Sequence, residues 1–159
     1  MTASSLLLSE DDVRTALGAA IGISASHGNW AQQPLGEVLR AASIDSAYTR
    51  FTGGAVVEGE ARPVAVGSMV LVFDGAETAE RLFDQVGQAA HLRTEVEHVP
   101  VAVETVTAPS GLVSYWGFAH RGAIIAIVTL DTLDPQEVSM SEFRSLVMRA
   151  VERIDPGLR

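Results

Sequence analysis

The densest group of titratable side chains in the chain lies in "HLRTEVEHVP", which gathers His91, Arg93, Glu95, Glu97 and His98. Two histidines and two carboxylates are enough, by type, for a divalent metal site or a general acid/base pair. Their spacing suits neither. On an extended chain Glu95 and Glu97 share one face while His98 points to the other. His91 belongs to the end of the preceding helix, where a cation suits the dipole. The segment reads as a solvated connection with local pairing, so neither metal nor cofactor is expected.

A second cluster, "SYWGFAHRG", holds Tyr115, Trp116, Phe118 and His120 just before an apolar run, "AIIAIVTL". Gly122 supplies the positive backbone angle of a tight turn, so the two pieces read as a hairpin with Arg121-Gly122 at its tip. Strand parity then puts Ser114, Trp116, Phe118 and His120 on one face beside Ala123, Ile125, Ile127 and Thr129. Val113, Tyr115, Gly117 and Ala119 fall on the other, beside Ile124, Ala126, Val128 and Leu130. The second face is the smaller one, so helices are expected to close over it. The aromatic face is either a second core layer or the floor of a pocket. His120 and Arg121 at the tip could hold a small anion, but nothing in their spacing demands it. The other tryptophan, Trp30, stands in the irregular stretch "SASHGNWAQQPLGE", where an indole either anchors the loop or meets a partner. No serine lies in a G-x-S-x-G elbow, and no glycine-rich loop carries the lysine that a bound phosphate needs.

The elements that must position these residues are marked by caps and periods. Ser9 with Asp12, Asp74 with Glu77, and Ser139 with Glu142 each place an acid three residues after a small polar cap. Leu8 and Val13 flank the first as a hydrophobic staple, and Gly18 is a plausible stop. In "AETAERLFDQVGQAA" the apolar residues recur at helical spacing, as do Phe143, Leu146, Val147, Ala150 and Ile154 further on. "PLGEVLRAA" is a weaker fourth helix. Between them the period drops to two. "VAVGSMVLVF" is apolar on both faces, as a central strand covered on each side reads. "VEHVPVAVETVTA" alternates less cleanly, with Pro100 marking an edge or a bulge. "AYTRFTGGAVVEGEA" holds one or two strands broken at Gly53-Gly54. The expectation is an α+β fold, a mostly antiparallel sheet of about five to six strands with helices packed mainly on one face, in one globular domain over residues 1–159.

Composition narrows the functions. Twenty acids against eleven arginines, with no lysine, give a formal charge of -9, which opposes phosphate backbones and anionic lipid alike. No nucleic-acid partner is expected. Hydrophobic residues make up 47% of the chain, enough for a sizeable core, yet no run approaches the roughly 20 residues of a spanning helix, so no membrane insertion is expected. There is no cysteine, which excludes disulfides and thiolate chemistry. The start, "MTASSLLLSEDD", lacks the basic region and the roughly 7 to 15 apolar residues of a signal peptide. As written the chain reads as cytoplasmic, or as belonging to the cell envelope or secreted if a leader precedes it.

Three stretches carry a resemblance. "LLLSEDDVRTALG" resembles the opening helix of actinobacterial cell-envelope proteins that begin with a phrase like "LLLSPDEVNAALG", found in extracellular sensor domains of mycobacterial serine/threonine kinases and related lipoproteins. "SMVLVFDGAETAERLFDQV" is similar to their strand and helix, and "GFAHRGAIIAIVTLD" to their closing hairpin, in the same order. The shared elements are leucine, alanine and valine patterns, and residues 19–60 match least. The resemblance implies an α+β sensor or ligand-binding domain outside the membrane with no catalysis of its own. The kinase domains carry disulfides and follow a membrane anchor or leader, and this sequence shows neither.

The reading that emerges is a non-enzymatic, sensor-like binding domain with an apolar, aromatic-lined cleft between sheet and helices. Trp116, Phe118 and Tyr115 are expected to line it, with His120 at its rim and Trp30 as a further contact. The acidic charge favours a neutral or cationic small molecule of apolar or amphipathic character, or a protein partner. The alternative is a small cofactor-independent isomerase, cyclase or hydrolase whose acid/base groups come from His98, His120, Glu95 or Glu97. A homodimer that buries the sheet face is a third possibility.

Overall fold

A computed structural model describes residues 1–17, 21–26, 34–57, 60–90, 92–132 and 140–158. Trp30, His91, the Gly18 stop and the Ser139 cap lie outside them. The chain runs α1 (Glu10–Leu17), β1 (Ile21–Ser26), α2 (Pro34–Ala42), β2 (Asp45–Val57), β3 (Glu60–Val72), α3 (Ala76–Ala89), β4 (Leu92–Val96), β5 (Val99–Thr107), β6 (Val113–Arg121), β7 (Ile124–Thr132) and α4 (Met140–Ile154). Short 3-10 turns stand at Ala3–Leu6 and Pro156–Leu158. The fold is α+β.

The seven strands among the described residues form one antiparallel sheet in the order β1-β2-β3-β7-β6-β5-β4. After β3, helix α3 carries the chain across to the far edge, and the meander β4 to β7 folds back until β7 lies against β3. The sheet thus exceeds the expected five to six strands. β1 takes residues at the start of the stretch read as irregular, and β2 passes unbroken through Gly53-Gly54.

Helices cover both faces of the sheet, not mainly one. On one face α4 and α1 pack over Val66, Val70, Tyr115, Ala119, Ala126, Val128 and Leu130. On the other, α3 packs over Ala102, Phe118, Ile125 and Ile127 through Leu82, Phe83 and Val86. The cause is legible in β3 and β7, which are apolar at odd and even positions alike, so neither face can be left to water. Phe83, Phe118, Phe143, Leu71 and Ile125 are almost wholly buried, each worth roughly 1.5–3 kcal/mol of apolar transfer.

The expected capping box at the first helix forms as drawn. The Ser9 N–H donates to Asp12 Oδ2 at 2.8 Å, and the Asp12 N–H donates to Ser9 Oγ at 3.2 Å. Arg153 of α4 then donates to the same carboxylate at 2.6 Å, joining α1 to α4. Burial pushes the Asp12 carboxyl up, but the Ser9 amide and hydroxyl and the Arg153 guanidinium together hold it below its ordinary value. At α3 the cap position falls on Gly75 instead of Asp74, with no side-chain hydrogen bond.

The titratable segment is a second hairpin, not a single alternating strand. Val96 pairs with Val99, so Glu97 and His98 are the turn, with φ of +48° and +67°. Both angles lie in the left-handed region, the pattern of a type I′ turn made without glycine or asparagine. Pro100 sits opposite Glu95, just before β5 begins its pairing with β6 at Val101, so its missing N–H is not needed on the β6 side.

Candidate functional site

The parity of the β6–β7 hairpin places Trp116, Phe118 and His120 on the α3 face, with Ile125, Ile127 and Thr129. Arg121 pairs with Ile124, so the turn is Gly122-Ala123, one residue later than expected, with Gly122 at φ +57°. Phe118 is 1% exposed beneath α3. Trp116 is half-buried beside it, with ring centroids 6.2 Å apart. Tyr115 faces the other way, buried at 8% exposure against Phe143 of α4, with ring centroids 5.6 Å apart. Thus Phe118 and Tyr115 are core side chains on opposite faces, and the protein's own helices cover them. Trp116 alone of the three reaches partway to the surface.

His120 stacks on Phe83 at 5.4 Å and its Nε2 lies 2.8 Å from the Gly122 carbonyl, which pins the tip of the hairpin. Arg121 reaches Asp155 at 3.4 Å. His98 and Glu97 are exposed in the β4–β5 turn, and Glu95 is exposed on the edge strand. Among the described residues no hydrogen bond or ion pair joins any two of His98, His120, Glu95 and Glu97. Nor, among those residues, do three His, Asp or Glu side chains converge as metal ligands.

An apolar concavity among the described residues lies elsewhere, at the open end of the α4 face. It is a groove of about 390 Å³ between α4 and the outer strands β4 and β5. Its floor is Leu92, Thr94 and Val96 of β4 with Val101 and Val103 of β5, which the register places on one face. Its wall is Met140, Phe143, Val147 and Met148, with Arg144 at the rim. Leu92 is 48% exposed and Met140 38%, so apolar surface is open to water here. Glu95 also borders the groove, but alternation along β4 turns its carboxylate to the α3 face. Arg144 is exposed and makes no ion pair among the described residues. The groove therefore joins an apolar bed to one cationic group.

One contact that seats α4 away from these strands is at a glycine. A Cβ on Gly117 of β6 would stand 2.8 Å from Val147 Cγ2 and 3.0 Å from Phe143 Cζ. The missing side chain draws α4 down over β6 and β7, and β4 and β5 extend past its reach. The sequence signal for the wall was present but unread. Met140, Arg144 and Met148 recur at intervals of four, on the shoulder of the stripe that Phe143 and Val147 begin.

No family model matches the chain, and no curated protein matches it significantly. Among solved structures, the extracellular domain of PknH from Mycobacterium tuberculosis superposes with a TM-score of 0.54 at 10% sequence identity, covering 95% of this chain and 94% of that one. At that identity the likeness is one of fold, and the chain is accordingly similar in fold, over nearly its whole length, to a bacterial extracellular domain.

Proposed function

We propose that this protein is a non-enzymatic, sensor-like binding domain and that the groove between α4 and the β4–β5 edge receives an amphipathic small molecule. The observation that carries the reading is the groove itself, open, apolar along floor and wall, and bearing Arg144 at the rim. Its volume falls within the roughly 300–1,000 Å³ of small-molecule sites. The fold shared with an extracellular domain supports a sensor-like role at the cell envelope. Separation of the candidate acid/base residues favours binding over turnover. Of the aromatic residues first expected to line the site, Tyr115 stands behind it against Phe143, which forms the wall, while Trp116 and Phe118 lie on the opposite face of the sheet.

Arg144 shifts the ligand class from the neutral or cationic molecule that net charge favours towards one with an anionic head and an apolar tail. Local pairing outweighs the distant, screened charges of the rest of the surface. Dodecanoate and dodecanol are suitable probes, titrated by calorimetry. The wild-type chain is expected to bind dodecanoate more tightly, Arg144→Gln to lose most of that difference, and Val103→Trp to block both probes while remaining folded. No heat with either probe, or unchanged binding by Val103→Trp, would overturn the proposal.

A further inference from the structure

Strand β4 ends the sheet, and among the described residues it is paired on one side only, with β5. Four of its five residues, Leu92, Arg93, Thr94 and Glu95, are open to water. Natural sheet edges are commonly protected by shortness and by charge, because a bare row of N–H and C=O groups invites another strand. β4 is short, and it is charged in an unusual arrangement: its sequence, Leu92-Arg93-Thr94-Glu95-Val96, is complementary to itself read backwards.

We infer that two copies of this chain pair through β4, antiparallel, about a two-fold axis at Thr94. In that register Leu92 of each copy stands opposite Val96 of the other, and Arg93 opposite Glu95. Directly opposed residues on antiparallel strands have Cβ atoms about 4.5–5.5 Å apart, close enough for both the apolar and the charged pairs to count. The two-fold makes every favourable pair occur twice, as an isologous interface requires. Charge also selects the register. A shift of two residues one way sets Glu95 against Glu95, and the other way sets Arg93 against Arg93. A shift of one residue opposes side chains from different faces. Arg93 remains available, since Asp84 takes a single terminal nitrogen, Nη2, at 2.9 Å, while the guanidinium rests 5.5 Å from the centre of the Phe83 ring.

The pairing completes the groove. An axis normal to the sheet keeps both α4 helices on the same side, so the two grooves meet across the junction. Leu92 and Val96 of both copies then form a shared floor between two helical walls, and the exposed Leu92 side chain gains an apolar neighbour. The assembly stands whether or not the groove holds an amphiphile, because its registry comes from the strand and not from the ligand.

Two reversed-charge variants test it, with mass in solution as the readout. Arg93→Glu opposes carboxylate to carboxylate at both charged positions of the junction, and Glu95→Arg opposes guanidinium to guanidinium there. Each alone is expected to weaken self-association by at least about tenfold. Mixed in equal amounts they restore opposite charge at every position. Sedimentation of the full chain is expected to show twice the 16.8 kDa monomer mass for the wild type, monomer for either variant, and twice the mass again for the mixture. Circular dichroism checks that both variants remain folded. A monomeric wild type, a variant that dimerises as before, or a folded mixture that stays monomeric overturns the inference. Amphiphile binding measured on the same samples reports separately on the ligand reading.

Discussion

The two faces of the sheet are covered by helices of nearly equal length, 14 residues in α3 and 15 in α4, and they end up differently. On the α3 face the cover reaches the outer strands. Phe83 meets His120 on β6, and Arg93 of β4 folds back over the Phe83 ring and pairs with Asp84, tying the edge strand to the helix. On the α4 face the helix is held inward by contact at Gly117 and by the Asp12–Arg153 bridge to α1. What is pulled tight in the middle leaves the margin bare. A groove here results from close packing next door, so altering the packing is the way to alter the groove.

The sharpest way to break the comparison is at the sealed face. Phe118→Ala removes an almost wholly buried ring beneath α3, and a loss of about 3–5 kcal/mol is expected from transfer and cavity together. Leu92→Ala in the groove, half-exposed already, is expected to change stability by no more than about 0.5 kcal/mol. Urea denaturation of both variants gives the contrast directly. Similar losses would mean that the groove side is as closely packed as the sealed side.

Next in size is Gly117→Ala. The added methyl meets Val147 and Phe143, and overpacking of this kind costs about 1–3 kcal/mol. Pairing it with Val147→Ala removes the nearer obstacle, so the double variant is expected to recover part of the loss, a coupling readable in a double-mutant cycle. Independent, additive losses would show that Gly117 does not set the seat of α4.

Much of this was legible beforehand, and the physics says which part. Period two assigned Trp116, Phe118 and His120 to one face and Tyr115, Gly117 and Ala119 to the other, because alternation is a property of the strand alone. The capping box at Ser9 and Asp12 was equally local. The apolar stripes of α3 and α4 announced that each helix packs on something, yet nothing in a stripe says which face of a sheet receives it. That depends on the path of the chain from β3 to the far edge, a long-range matter. Phe118 therefore looked like a pocket floor when it is the core under α3, and the groove stayed unseen because it depends on where α4 comes to rest. The β4–β5 turn was missed for a different reason. Glu97-His98 carries none of the glycine or asparagine that signals such a turn.

That turn offers the smallest of the effects. A left-handed backbone costs an ordinary L-residue roughly 1–2 kcal/mol, and both central residues here adopt it, at φ +48° and +67°. Glu97→Asn with His98→Gly supplies the residues that such a turn prefers. Part of the relief is lost again to glycine's greater freedom in the unfolded chain. A net gain of about 1 kcal/mol is expected, seen as a higher denaturation midpoint with an unchanged slope. The β6–β7 hairpin sets the reference, since Gly122 at φ +57° already occupies its left-handed position without a side chain. If the double substitution gains nothing, the strain at Glu97 and His98 is offset by contacts of those side chains, and the two hairpins are equally relaxed. If it gains, the edge hairpin is the looser of the two, and the strand that borders the groove is held in place by its pairing to β5 and by Arg93 more than by its own turn.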